Sequence, residues 1–184
     1  MTTGPASALR DHLLRHSVRR GDFVLKSGRH SSVFVDSKQT ACRPEGIVLV
    51  AEAALGVIPD EATAIGGLTM GADPVAFGVA AVAATRGRPL RSFSIRKEAK
   101  DHGVTGRVAG ALEADDRVVV TEDTVTRGTS LFEAVEVVRQ LGAEVVLIMP
   151  LVDRGGTCAA LAGDAGIPYR PLVTFPDLGF AWDE

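Results

Sequence analysis

Apolar residues near the start of the chain follow first a helical and then an extended pattern. Leu9, Leu13, Leu14 and Val18 recur at helical spacing. The segments "FVL" and "VFVDS" then flank the turn at residues 26–30, as two strands of a hairpin would. We therefore predict an N-terminal helix followed by a hairpin.

From Pro44 onward the pattern alternates between helices and strands. Helices are predicted to begin at Pro44, at Asp73 and at about Thr129, because proline and hydroxyl residues suit a helix start. The strands between and after them are predicted at "ATAIGG", "RSFSIR", "RVVVTED" and "EVVLIMPLV". Strands this rich in Val, Ile and Leu, separated by helices, predict an α/β fold with a mostly parallel sheet covered on both faces. Ligands of such sheets bind at the carboxyl ends of the strands.

Residues 97–112 interrupt this alternation. They contain Gly103, Gly106 and Gly110, together with basic residues and a histidine, and few large apolar groups. We expect a long mobile loop here.

Length, composition and charge exclude several classes of protein. A chain of 184 residues with 46% hydrophobic residues fits one domain over residues 1–184. The net charge of −3 predicts no nucleic-acid or anionic membrane partner. The longest apolar run, Val75 to Ala84, is far shorter than the ~20 residues of a membrane span. Because the first residues lack a secretory signal and Cys42 and Cys158 fit reduced thiols, we expect a cytoplasmic protein.

Two histidines have the spacing of a metal-binding pair. His12 and His16 lie four residues apart on the predicted N-terminal helix. No third ligand is evident in the sequence, so we expect two exposed helix histidines and no metal site.

The segment "TEDTVTRGTS", residues 121–130, has the pattern of a sugar-phosphate site. A strand that enters a hydroxyl-rich turn and then a helix presents unpaired N–H groups to a phosphate. The single glycine, Gly128, and the lack of a lysine exclude a nucleotide P-loop. Glu122 and Asp123 repel phosphate, but they accept hydrogen bonds from sugar hydroxyls and can support Mg²⁺. Helix capping by the hydroxyl residues is the structural alternative.

The segment "VVVTEDTVTRGTS" resembles the 5-phosphoribosyl 1-diphosphate (PRPP) motif of the type I phosphoribosyltransferases. Four further stretches resemble the orotate phosphoribosyltransferases of that family: "LKSGRHSSVFVDSK", "GGLTMGADPVA", "IRKEAKDHG" and "VDRGG". The resemblance implies transfer of ribose 5-phosphate from PRPP to N1 of orotate, with Mg²⁺ carried by PRPP. It also implies a small N-terminal hood over residues 1–40, a flexible catalytic loop, and a homodimer whose active sites are shared across the interface.

The resemblance also assigns the site residues. The catalytic residues would be Arg96, Lys100, His102 and Asp123. The residues that contact PRPP would be Lys26, Arg96, Lys97, Lys100, His102, Glu122, Asp123, Thr124, Val125, Thr126, Arg127, Gly128, Thr129 and Ser130. The residues that contact orotate would be Phe34, Thr126 and Arg154, and Glu122 and Asp123 would be available to support the Mg²⁺.

Two positions depart from the family pattern, and two other functions stay open. Val35 stands where many relatives have a second aromatic residue, and Met70 stands where some have a lysine. A phosphoribosyltransferase for another base would differ in what Arg154 contacts. A regulatory protein that only senses PRPP would need residues 122–130 but not the cations between Arg96 and His102.

Overall fold

A computed structural model of the chain describes residues 4–24, 30–100 and 106–182, without the side chains of Pro5, Ala99 and Lys100. The N-terminal part begins with helix α1 (Pro5–His16). It is followed by strands β1 (Val18–Val24) and β2 (His30–Val35), which pair antiparallel and form a separate two-stranded sheet, and by the short helix α2 (Lys38–Ala41). The helix and hairpin predicted for this region are confirmed, although Val18 begins the strand instead of continuing the helix.

A six-stranded sheet forms the centre of the molecule. Its strands are β3 (Ala64–Leu68), β4 (Arg91–Lys100), β5 (Gly106–Gly110), β6 (Arg117–Val125), β7 (Glu144–Asp153) and β8 (Val173–Thr174). The order across the sheet is β5-β4-β3-β6-β7-β8. All neighbouring strands are parallel except β4 and β5. The predicted α/β fold with a mostly parallel sheet is confirmed.

Helices cover both faces of this sheet. The remaining helices are α3 (Pro44–Leu55), α4 (Asp73–Thr85), α5 (Thr129–Gln140), α6 (Cys158–Asp164) and a 3-10 turn (Pro176–Leu178). Alternate strand residues point to opposite faces, so Val119 packs with α1, α3 and α4, whereas Val118 and Val120 pack with α5 and α6. Among the described residues, none of the helices is both long enough and apolar enough to cross a lipid bilayer.

The structure corrects the expectation of a loop over residues 97–112. Strand β4 continues to Lys100 and pairs antiparallel with β5 over Gly106–Gly110, so most of this segment is strand. Residues 97–112 are mostly small or polar, so they lack the apolar alternation from which a strand is predicted. Strands at the edge of a sheet can form without such a buried apolar face. We call residues 96–107 the arm; its residues 101–105 lie outside the described part of the chain.

The structure also corrects the expectation of two exposed histidines on α1. The side chain of His12 is only 9% exposed, and His16 is half-buried. Glu45 of α3 lies beside both of them. Helical spacing alone could not reveal a residue 33 positions away from His12 that a second helix brings into contact.

Candidate active site

A wide cleft of about 1270 Å³ opens at the carboxyl ends of β3, β4, β6 and β7. The strand order brings the predicted residues of separate segments to this one edge of the sheet. The predicted site residues that line the cleft are Phe34, Lys97, Glu122, Asp123, Thr124, Val125, Thr126, Arg127, Gly128, Thr129, Ser130 and Arg154. Lys26 and His102 lie outside the described residues, as does the side chain of Lys100.

The acid pair lies near the end of β6 and is buried. Glu122 is 8% exposed and Asp123 is 9% exposed. The Ser37 hydroxyl donates a hydrogen bond to Asp123 Oδ2 at 3.2 Å, and the Lys38 ammonium forms a short ion pair with the same oxygen. Contacts from the start of α2 therefore fix the side chain of Asp123 at the end of β6.

Burial controls the charge of this pair. Removal from water, with the adjacent charge of Asp123 as the second cause, raises the pKa of Glu122 to about 8. Burial lowers the pKa of Lys38, but the hydrogen bond and the charge of Asp123 outweigh it, and the net pKa is raised. The cleft therefore favours the protonated form of Glu122 and the charged form of Lys38.

The loop between β3 and α4 approaches the acid pair closely. A Cβ atom at Gly71 would lie 1.8 Å from Glu122 Oε1 and 2.8 Å from Asp123 Oδ1. A side chain here would have to displace the Glu122 carboxyl, so glycine lets the backbone of the loop reach the same part of the cleft as the acids. Its neighbour Met70 is 70% exposed and lines the cleft, where it offers no positive charge.

The turn after β6 leaves the first N–H groups of α5 uncapped by any described side chain, as an anion-binding helix start requires. Gly128 is the N-cap, with a φ angle of +80°, and a Cβ atom there would meet Cys158 Sγ at 2.8 Å. Within the described residues, no side chain caps this helix. The alternative of hydroxyl capping is therefore wrong, and the first N–H groups of α5 face an open cleft.

Arg154 lies beside this turn, directly after β7. Its backbone N–H donates to Val125 O at 2.9 Å, and its guanidinium carbon lies 5.1 Å from the centre of the Phe175 ring. Gly156 allows the following turn to pass close to Thr126, because a Cβ atom there would lie 2.7 Å from Thr126 O. The two loops thus place Arg154 and Thr126 in one part of the cleft.

Phe34 projects from β2 into the same cleft. Its side chain is 40% exposed and lies 5.6 Å from Phe23, between ring centres. Val35, by contrast, is 5% exposed and belongs to the core. The valine that departs from the family pattern therefore does not face the cleft.

The arm contributes part of the cleft lining. Lys97 and Glu98 line the cleft, but Arg96 is not among the residues that line it in a single chain. The Arg96 guanidinium instead donates to Gly106 O at 3.4 Å. Arg107 donates to Arg96 O at 2.8 Å and forms an ion pair with Glu133 of α5, so the base of the arm is anchored.

Sequence reasoning missed Ser37, Lys38 and Gly71 as parts of the site. Ser37 and Lys38 end the stretch "LKSGRHSSVFVDSK", which supplied the only signal for them. Their contact with Asp123 joins residues about 85 positions apart, and such a contact cannot be read from local spacing.

Comparison with known proteins gives a consistent result. No family model matches the chain. The orotate phosphoribosyltransferase of Streptomyces coelicolor is 44% identical and covers 89% of this chain and 91% of its own length. That of Synechocystis is 36% identical and covers 97% of this chain and 92% of its own.

Solved structures agree with these relatives. The orotate phosphoribosyltransferase of Mycobacterium tuberculosis, in complex with Fe(III) dicitrate, superimposes with a TM-score of 0.85 at 32% identity and covers 96% of this chain and 99% of that one. A structure of the same enzyme in complex with PRPP gives a TM-score of 0.79 at 31% identity, again over 96% and 99% of the two chains.

Proposed function

The chain belongs to the orotate phosphoribosyltransferase family, and we propose which of its residues carry out that family's reaction. It is an enzyme that transfers ribose 5-phosphate from PRPP to N1 of orotate. The products are orotidine 5′-monophosphate and diphosphate, in pyrimidine biosynthesis. One observation carries the assignment of residues: the buried pair Glu122 and Asp123 lines the same cleft as the open start of α5 and Arg154.

The 5′-phosphate of PRPP binds at the start of α5. Unpaired N–H groups and the helix dipole favour an anion there, and the hydroxyls of Thr124, Thr126, Thr129 and Ser130 add hydrogen-bond donors. Gly128 lets the chain turn tightly enough to aim these groups.

The ribose binds at Glu122 and Asp123. A protonated Glu122 both donates and accepts hydrogen bonds, which suits a sugar with free 2- and 3-hydroxyls. As the bond from C1′ to diphosphate breaks and the bond to N1 forms, positive charge develops on the ribosyl group. The carboxylate of Asp123, fixed by Ser37 and Lys38, stabilises that charge without rearranging.

The departing diphosphate meets cations and backbone N–H groups. The backbone at Gly71 lies close to the acid pair, and it provides the contact that Met70 cannot make. Lys97 lines the cleft, and the arm brings Arg96, Lys100 and His102 to the diphosphate when it closes over the site. Closure also excludes water, which would otherwise hydrolyse PRPP.

Orotate binds on the side of Arg154. Its guanidinium can hold the substrate carboxylate through two parallel hydrogen bonds. Phe34 packs against one face of the planar base, and Thr126 contacts its edge. This pairing of a carboxylate with an arginine selects orotate over uracil, which lacks the carboxylate.

Mg²⁺ accompanies PRPP, since phosphoribosyltransferases that use PRPP generally need it. Asp123 offers the carboxylate oxygens that this hard cation prefers, and Glu122 would offer a second carboxylate on losing its proton, so the residues present fit it. When bound with PRPP, the cation neutralises part of the charge on the diphosphate.

We further propose one phosphoribosyltransferase domain over residues 1–184 that acts as a homodimer in the cytoplasm. Arg96 does not line the cleft of its own chain, which fits an arm that serves the partner's site through Lys100. Cys42 and Cys158 are free thiols, and free thiols fit a reducing compartment.

The assignment is tested by mixing the protein with PRPP, Mg²⁺ and one base at a time. We expect diphosphate release with orotate and none with uracil, hypoxanthine or adenine. Release with another base instead would contradict the assignment of Arg154. PRPP binding without release for any base would indicate a sensor.

A further inference from the structure

Two histidines and a glutamate meet outside the cleft. His12 and His16 lie one turn apart on α1, and Glu45 lies in the first turn of α3. The candidate ligand atoms of the three residues all lie within 4.8 Å of one another. None of the three is among the residues that line the active-site cleft.

The His12 ring is held as an oriented ligand would be. Its Nδ1 lies 3.1 Å from Thr40 Oγ1, which in turn lies 2.7 Å from Ser17 Oγ. In the tautomer in which Nδ1 donates its proton to Thr40 Oγ1, the lone pair of Nε2 is available to a ligand.

That other nitrogen makes no hydrogen bond within the described part of the chain. The His12 side chain is 9% exposed, and Nε2 lies 3.7 Å from Glu45 Oε1, which is too far for a hydrogen bond. Within the described part of the chain, Nε2 is buried and makes no hydrogen bond. A buried nitrogen without a hydrogen bond is costly, and a bound cation would supply the missing partner.

Gly46 makes room for this arrangement. A Cβ atom at Gly46 would lie 2.9 Å from His12 Cε1 and 2.2 Å from Thr40 O. With glycine at this position, α3 can pack directly against the ring of His12 and bring Glu45 to its edge.

We propose that His12, His16 and Glu45 form a binding site for Zn²⁺ that joins α1 to α3. Two imidazole nitrogens and one carboxylate oxygen are a ligand set that this cation accepts, with a fourth position for water. Glu45 is 57% exposed and His16 is half-buried. Both side chains are therefore free to close the remaining distance around His12, which is fixed.

The test uses the full chain without a histidine tag. Millimolar Mg²⁺ is present so that Mg²⁺ competes with Zn²⁺ for Glu122 and Asp123 in the cleft. Isothermal titration with Zn²⁺ should give one site per chain, and Zn²⁺ should raise the melting temperature. Co²⁺ as a substitute should give visible absorption bands typical of nitrogen and oxygen ligands.

His16→Gln and Glu45→Gln should each lower the Zn²⁺ affinity by about tenfold or more and remove the rise in melting temperature. His30→Gln, which changes an exposed histidine of β2, and Asp123→Asn, which changes the cleft, should leave Zn²⁺ binding intact. Because neither ligand variant removes the buried ring of His12, circular dichroism should show both folded.

The proposal is overturned if the parent chain binds no Zn²⁺, or if both ligand variants bind as the parent does. It is also overturned if Asp123→Asn removes the binding, because the cation would then lie in the cleft. None of these outcomes depends on the assignment of the transferase reaction.

Discussion

The end of β6 and the arm contribute to the same cleft in different ways. Glu122 and Asp123 are buried and held by contacts from α2. Lys97 and Glu98 of the arm are exposed, and Arg96 bonds to the arm's own backbone. The charged groups of the acid pair are fixed by contacts within the chain, whereas Lys97 and Glu98 of the arm line the cleft with exposed side chains.

This difference corresponds to what each region must do. Groups that hold ribose and its phosphate must be in place before the substrate arrives, and fixed dipoles and charges stabilise a transition state at no further cost of reorganisation. Groups that cover the diphosphate must let PRPP enter and the product leave, so they belong on a segment that can move. The predictions below separate the two regions.

The largest effect is expected from Asp123→Asn. The change is almost isosteric but removes the negative charge beside the ribosyl group, so turnover should fall about 10²- to 10³-fold. Steady-state kinetics measure the fall, and the exposed Asp60→Asn serves as the control. Turnover near that of the parent, in a folded variant, would remove Asp123 from the catalytic residues.

Arg154→Ala should weaken orotate binding and leave PRPP binding nearly unchanged. Loss of a charged contact made by two hydrogen bonds should cost roughly 2–4 kcal/mol of orotate affinity. Calorimetry with each substrate measures both affinities, and the exposed Arg170→Ala is the control. Equal losses of affinity for PRPP and orotate would show that Arg154 supports the structure of the whole cleft and does not specifically bind orotate.

Glu122→Gln should change how stability depends on pH. The folded chain holds the proton of Glu122 more tightly than the unfolded chain, since its pKa is raised from 4.5 to about 8. This stabilisation is complete below pH 4.5 and is lost as the pH rises through about 8. The parent should therefore lose roughly 4–5 kcal/mol of unfolding free energy across this range, and Glu122→Gln should not.

Urea unfolding at several pH values measures this loss. Glu98→Gln, which changes an exposed carboxylate of the same cleft, should keep the pH dependence of the parent. If the unfolding free energy depended on pH in the same way in the parent and in Glu122→Gln, the proton taken up on folding would not be bound by Glu122.

Local signals predicted four strands of the sheet, β3, β4, β6 and β7, and the contiguous part of the site, but not β5 or β8. Proline near the first helical position predicted the starts of α3 and α4, and apolar runs predicted β6 and β7. Residues 122–130 of the site lie in one uninterrupted motif. Each of these depends on residues close together in the sequence, which the pattern alone can reveal.

The remaining features depend on contacts between distant segments. The pairing of β4 with β5 stabilises β5 and the end of β4, and neither of these segments has an apolar pattern. Lys38 joins the site only because α2 packs against the end of β6. His12 is buried only because α3, with Gly46, lies against it. No local spacing encodes these contacts.

The contrast between the two regions is tested most directly by mixing subunits. Lys100→Ala damages the arm and Asp123→Asn damages the cleft, and each variant alone should be nearly inactive. If the arm acts in the partner's site, a mixed dimer has one site with both changes and one site with neither. Random exchange should then restore about a quarter of the parent activity, since half of the dimers are mixed. If mass spectrometry verifies the exchange and no activity returns, the arm serves its own chain and the account is wrong.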